Sequence, residues 1–467
     1  MVSACPVSSR VRRSDGVAPV TTLVAGILVA LNLGLIFLLF AVPLGVRTVR
    51  QSRLIAASRA HVWSAVWPFG ENAGWSGQHL KAEALGDPGL VRIVLGWEGR
   101  DGKAIEHTVR LEDVVEGRRF SSRVIDDSSL EPAFWSHYRD TVALEGEDGA
   151  VRVTFSRTDR YRGAAFLIFR YFALRRELGK LKRWAETGKY RAGGLFEHPA
   201  SQVGFAILSA FLLWPLFGLT LGGFAVSAVL TTVVALHELG HLAAFRLMGH
   251  RKVRMIFLPL LGGIAIGGRP YDSRFEVAFV ALMGPGFSAF LVPLAIATCL
   301  YAAGEGWRAA AGVLGTLAGI AALFNVANLV PVWKFDGGQV LRQICPGPVT
   351  LALSSFLLLS AFLALGHAVG FPAPFLVVAG AVFAILSLIT VGSNVKPRHE
   401  LKPIHGMERV AIAGALLAVF AIHASGLLWA SARLEEVQKF QRLRYERSLQ
   451  AADGAALREE LAAPQRL

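Results

Sequence analysis

The sequence predicts a multi-span α-helical membrane protein of about eight transmembrane helices, with a soluble α+β domain inserted near its start. Three observations carry this. Hydrophobic residues fill 53% of 467 positions against 18% charged, and the mean hydropathy is +0.47, a balance that points to lipid as the main solvent. Apolar runs long enough to span a bilayer recur along the chain. Between the first run and the rest, from about residue 50 to 198, charge density rises and such runs vanish. The net charge of +14 clusters in short loops between apolar runs and beside the soluble segment, a topology signal that leaves no need for a nucleic-acid partner. Cys5, Cys299 and Cys345 are too scattered for a disulfide framework or a cysteine metal cluster.

Taken in order, residues 1–19 form a polar tail with Arg10, Arg12 and Arg13, and 20–46 is the first transmembrane helix, longer than the core of a cleaved leader and without a clear small-residue cleavage site. The soluble domain, 50–198, contains alternating runs at 91–97, 105–111, 120–125, 141–144 and 151–155. Turn chemistry separates them at Gly99-Arg100-Asp101-Gly102 and Gly146-Glu147-Asp148-Gly149, so an antiparallel meander is expected. A long helix follows, with Tyr171, Leu174, Leu178, Leu181 and Ala185 on one face and Arg175, Arg176, Lys180, Lys182 and Arg183 on the others.

Further spans are read at 201–221, 224–248, 275–303, 309–332, 349–366, 375–391 and 409–430, making eight with the first. Three of them follow the core in 349–430. Residues 431–467 form a charged tail, helical over 434–449. The glycine-rich stretch from Phe257 to Gly268 is too short and broken to cross. Arg251, Lys252 and Arg254, then Lys334 and Arg342, then Lys396, Arg398 and Lys402 fall on one side with the soluble domain. That side is expected to be the cytoplasm of a multi-pass cell-membrane protein.

The chemistry is concentrated in His237-Glu238-Leu239-Gly240-His241 inside the span 224–248. Residues four apart on a helix share a face, so the two imidazoles can reach one Zn2+ ion with the Glu238 carboxylate beside them. Ionisable groups within a span are expensive and mark function. A catalytic zinc site wants three protein ligands and an open position. The good candidate for the third is Asp336, placed by Asn325 to Gly338 at the end of the span 309–332, where Pro331 breaks the helix. The charge-derived topology brings both segments to the cytoplasmic third of the membrane. His367, His399, His405 and His423 have no ligand-like spacing.

An H-E-x-x-H in a membrane helix, followed about ninety residues later by N-x-x-P-x-x-x-x-D-G, resembles the site-2 protease family of intramembrane zinc metalloproteases. The likeness covers roughly 201–345, the expected protease core. It implies that His237, His241 and Asp336 hold zinc, that Glu238 is the catalytic base, and that Asn328 orients the substrate or oxyanion. Two positions depart from the family pattern: Ser288 stands where many relatives have Asn after the Gly-Pro, and Trp333-Lys334-Phe335 precedes Asp336. The soluble domain is similar in element order, and in Ala57-Ser58-Arg59-Ala60-His61-Val62-Trp63, to START-like, polyketide-cyclase-like helix-grip domains, which implies an apolar ligand held between sheet and helix.

The expected function is therefore hydrolysis of a peptide bond in a transmembrane protein substrate, as in regulated intramembrane proteolysis. The 260–268 hairpin would offer a strand edge to the unwound segment. The rival is a non-catalytic zinc-containing membrane receptor or lipid-binding protein that senses through its soluble domain, a role that would not require Glu238. A metal transporter would want polar residues along several spans, which the sequence lacks.

Overall fold

The computed structural model describes residues 34, 37–39, 41–100, 102–146, 149–191, 193, 198–258, 262–332, 335–389 and 398–462. Contacts divide the chain into two compact units, one reaching to Ala192 and the other running from Gly193 onward with 97–103 added.

The first unit consists of β1 (Pro43–Ile55), α1 (Arg59–Val66), β2 (His79–Ala84), β3 (Leu90–Glu98), β4 (Ala104–Val115), β5 (Arg119–Asp127), β6 (Arg139–Glu145), β7 (Val151–Arg162) and α2 (Ala164–Thr187). The sheet order is β1-β7-β6-β5-β4-β3-β2, a meander from β2 to β7 with the first strand folded back onto the last. Alternation sets the faces. Val49 and Ile55 of β1, Val142 and Leu144 of β6, and Val151, Val153 and Phe155 of β7 meet Leu174, Leu178 and Leu181 of α2, all buried. Each leucine sealed in this way contributes about 1.5–3 kcal/mol. Tyr171, expected on the same helical face, is instead 41% exposed.

Farther along the strands the layer under α2 is charged. Arg157 on β7 donates to Asp140 on β6 (3.0 Å) and to Glu177 on α2 (3.0 Å). Burial would lower the guanidinium pKa, but Asp140, Tyr138 and Glu177 outweigh it and raise the value. Two strands, β1 and β2, lie outside the alternating runs at 91–97, 105–111, 120–125, 141–144 and 151–155.

The structure also corrects the first span. Residues 37–39 are helical and 20–33 lie outside the described residues, but the expected helix through Val46 ends earlier. Pro43 is already paired with Arg162, and Val46 with Arg160, in the β1–β7 ladder. Apolarity alone does not distinguish the end of a helix from the start of a strand.

The second unit contains α3 (Pro199–Leu213), α4 (Leu221–Leu247), a hairpin of β8 (Arg254–Leu258) and β9 (Gly262–Ile266), α5 (Arg274–Gly304), α6 (Arg308–Asn328), α7 (Asp336–Ile344), α8 (Pro348–Ala368), α9 (Ala373–Ile389) and α10 (Gly406–Ala462). Six helices among the described residues are long and apolar enough to cross a membrane: α3 with its continuation to Phe217, α4, α5, α6, α8 and α10 as far as Ser448. Eight were expected. The first lies mostly outside the described residues, and α9, at 17 residues, is short for a crossing. The tail expected as a separate helix continues α10 without a break, and the span at 309–332 stops as helix at Asn328, before Pro331.

Helices α4 and α5 approach closely because both carry glycine at the crossing. A Cβ on Gly240 would fall 2.2 Å from the Met283 carbonyl oxygen. On the far side, Val233 of α4, Val292 of α5 and Ala322 and Val326 of α6 pack as one apolar layer.

Candidate metal centre and catalytic carboxylate

Helix α4 begins at Thr220, whose Oγ1 accepts the Gly223 N–H (3.0 Å), and ends in the positive φ of Gly249. Its last three turns carry His237 and His241 on one face, ring centroids 4.8 Å apart. Asp336 comes from a separate element, the first turn of α7. Gly337 and Gly338 let that turn lie against the preceding chain: a Cβ at either would fall 1.9 Å from Leu329 O or 2.1 Å from Val332 O. The two imidazoles and the carboxylate offer ligand atoms that all lie within 4.8 Å of one another. Sequence spacing pointed to these three, and the fold brings them together.

The polarity of each ring is fixed by what its other nitrogen touches. His241 Nδ1 lies 2.8 Å from the Val280 carbonyl, which can only accept, so Nδ1 carries the proton. His237 Nδ1 lies 2.8 Å from Asn325 Oδ1, and the amide orientation is set by Asn325 Nδ2 donating to Ala321 O. In the neutral rings both Nε2 atoms are then bare acceptors. Yet they sit 3.1 Å apart, with Asp336 Oδ2 at 3.2 and 3.6 Å. Asp336 Oδ2 is buried without a hydrogen-bond donor. Three electron-rich atoms turned on one another repel unless a cation lies between them. For ligand bonds of about 2.0–2.1 Å, a regular tetrahedron has edges of roughly 3.3–3.4 Å, close to the three separations, so the donor set fits zinc in chemistry and in size.

Two further residues support the rings and were not assigned roles from sequence. Asn325 is completely buried. In sequence it is a polar residue in an apolar helix three positions before Asn328, at the start of the stretch singled out for Asp336. Gly284, within the Gly-Pro-Gly of α5, provides space: a Cβ there would lie 2.5 Å from His241 Nε2 and 2.8 Å from His237 Cε1. The next residue, Pro285, offers its carbonyl to His423 Nε2 of α10 (2.9 Å), so that histidine ties α10 to the turn behind the rings.

Glu238 projects beside His237 and is held by the hairpin. Its Oε2 accepts the Ala265 N–H at 2.9 Å, and Gly263 lies so near that a Cβ would be 2.4 Å from Glu238 Cγ. The Ala265 N–H therefore points away from β8 and toward α4. The hairpin is itself fastened, with Phe257 N–H donating to Gln202 of α3 and His250 Nε2 lying 2.6 Å from Glu276 Oε1 of α5. Asn328 is half-buried and donates through Nδ2 to Phe324 O (2.9 Å). One turn from His237 and Asn325, an apolar cavity of about 300 Å³ opens between α4, α5 and α6, lined by Val233, Leu236, Leu291, Leu317 and Ala321. Ser288, which departs from the family pattern, is buried in its wall. Trp333 and Lys334 lie outside the described residues.

No protein-family model matches the chain, and no curated protein matches it in sequence. Solved structures resemble a part of it about the size of the sheet domain. A START superfamily protein from Mycobacterium smegmatis is 12% identical with a TM-score of 0.22, over 29% of this chain and 92% of that one. The Aha1 dimer from Colwellia psychrerythraea is 15% identical with a TM-score of 0.25, over 31% and 98%. Ara h 8.0201 is 16% identical with a TM-score of 0.23, over 30% and 94%. One of the three is named as a START superfamily protein, the kind to which the element order of the soluble domain was likened, and at such scores none of them carries an argument about this chain.

Proposed function

We propose that this chain is a zinc-dependent intramembrane endopeptidase of the site-2 protease type, acting on transmembrane protein substrates. One observation carries the reading: His237, His241 and Asp336 turn bare acceptor atoms on a common point, beside a glutamate that is no part of the cluster. His237 and His241 through Nε2, and Asp336 through its carboxylate, would hold the ion. When bound, zinc supplies Lewis acidity toward the scissile carbonyl and the attacking water.

The residues themselves divide the remaining work. Asn325 and the Val280 carbonyl keep the two rings in one tautomer and orientation. Glu238 accepts a proton from the attacking water and returns it to the leaving amine. The outer edge of β9 offers backbone groups to a substrate segment that has unwound, as a strand added to a sheet edge. To reach substrate, Glu238 must exchange its bond to Ala265 for one to water, and Asn328 must release Phe324 O. The basic loops that include Arg251, Lys252 and Arg254 favour a cytoplasmic position for this end of the bundle.

The test is Glu238→Gln in the full chain, compared with wild type for zinc content and for membrane proteins that accumulate uncut. The variant should keep its zinc and lose cleavage by about 10²-fold or more. Zinc retained with an unchanged membrane proteome would favour the rival reading, a non-catalytic receptor.

A further inference from the structure

The outer face of α2 changes character along its length. In its first turns Phe166, Ile168, Phe169 and Phe172 are 54%, 50%, 69% and 59% exposed; Phe169 and Phe172 lie opposite the face that buries Leu174, Leu178 and Leu181, with Phe166 and Ile168 on its two flanks. Arg175 and Arg176 follow on the exposed side, with no acidic residue between Ala164 and Arg176. A soluble domain gains nothing from three phenylalanines in water.

The position of this patch is defined by the chain. Residues 37–39 are helical, and the Ala41 and Val42 N–H groups close on Phe37 O at 2.8 and 2.9 Å, at the end of the apolar run that starts at residue 20. Val42 O then accepts the Gly163 N–H (2.7 Å), immediately before α2, while Arg162 Nε donates to Ala41 O (3.1 Å). The aromatic end of α2 thus starts one hydrogen bond from the point where an apolar helix ends.

We infer that the first three turns of α2 are a membrane-interface anchor, with the phenylalanines set among lipid acyl chains and Arg175 and Arg176 among the phosphates. The spacing agrees. At 1.5 Å per residue Phe166 and Phe172 are about 9 Å apart and Arg176 is about 6 Å beyond. The headgroup zone on each side of the hydrocarbon core is roughly 5–7 Å deep. Aromatic rings with basic residues just above them are the composition of an interfacial helix. The consequence is that the sheet domain is held against the bilayer at two adjacent points, the chain at Val42 and the start of α2. This inference does not depend on the peptidase reading.

The full chain, reconstituted into vesicles of phosphatidylcholine and phosphatidylglycerol containing a phospholipid with a diazirine in its acyl chain, is illuminated and digested with trypsin. Lipid adducts should appear on the peptides 163–170 and 171–175 and not on β2, where Leu80 is equally exposed (59%). The variant carrying Phe166→Ser, Phe169→Ser and Phe172→Ser, with an unchanged melting transition, should lose the adducts. Labelling of α2 no greater than that of β2, or adducts that persist in the triple variant, would overturn the inference. Protection of these phenylalanines from radical oxidation in native membranes but not in the vesicles would overturn it in favour of a protein partner.

Discussion

Replacing Asn325 by alanine removes the acceptor that fixes His237 without touching any of the three prospective ligands. The Nδ1 proton of His237, now 2.8 Å from an acceptor, would face an apolar wall, and the ring could adopt the other tautomer or rotate. Loss of such a supporting partner typically costs 10–100-fold in metal affinity, or about 1.4–2.8 kcal/mol. The Asn325 bond to Ala321 O is also lost, at a cost to stability of about 0.5–1.5 kcal/mol. The affinity effect should therefore exceed the effect on folding. Asn325→Asp keeps the acceptor and should restore zinc affinity to near the wild-type value. The measurement is zinc competition against a calibrated chelator at neutral pH in detergent, with melting temperature followed in parallel. Equal affinity in wild type and Asn325→Ala, or a loss that Asn325→Asp does not repair, would refute the argument that this amide orients a ligand.

Three other outcomes follow from the geometry. Gly284→Ala should displace both imidazoles, since its methyl would lie 2.5 Å from His241 Nε2, and zinc content should fall; Gly304→Ala on the same helix, with nothing within 4 Å, is the control, and equal zinc in the two would count against the packing argument. Ala265→Pro removes the N–H that holds Glu238 at a position turned away from the ladder, so it should alter the pH profile of cleavage while leaving zinc content unchanged; loss of zinc would show that the hairpin supports the ligands instead. In the sheet domain, burial would raise the Asp127 pKa, but hydrogen bonds from His107, the Ser129 N–H and Trp135 outweigh it and lower the value. A depressed folded pKa means that this stabilisation is fully present above the ordinary carboxylate range, near pH 4, and is lost as pH falls through the folded value. Melting temperatures between pH 7 and 3 should thus fall less steeply for Asp127→Asn than for wild type, and parallel slopes would contradict the assignment.

What the sequence disclosed was set by periodicity. His237 and His241 are legible because a four-residue step on a helix has a single geometric meaning, and the meander because its strands alternate between turn dipeptides. Asp336 could be found because Pro331 marks where the preceding helix must stop. Asn325 and Gly284 could not, because a buried asparagine and a helical glycine have many uses, and theirs are set by side chains 88 and 43 to 47 positions away in sequence. The boundary at Pro43 was hidden because Pro43, Leu44, Gly45 and Val46 are as apolar as the residues before them, and only the pairing with β7 makes them a strand. β2 was missed because His79-Leu80-Lys81-Ala82-Glu83-Ala84 lacks the β-branched residues that usually announce one. The union of the last span with the tail was hidden for the opposite reason: composition changes sharply near Ser431, but no proline interrupts 406–462, and backbone hydrogen bonding continues across the change.

That unbroken helix has a mechanical consequence. Its 57 residues amount to a rod of about 85 Å, nearly three times the roughly 30 Å of a hydrocarbon core. His423 fastens the membrane part of this rod to Pro285, directly behind the Gly284 that accommodates both imidazoles. The charged end of the helix is thus joined, through continuous backbone and this one hydrogen bond, to the turn behind the two histidines.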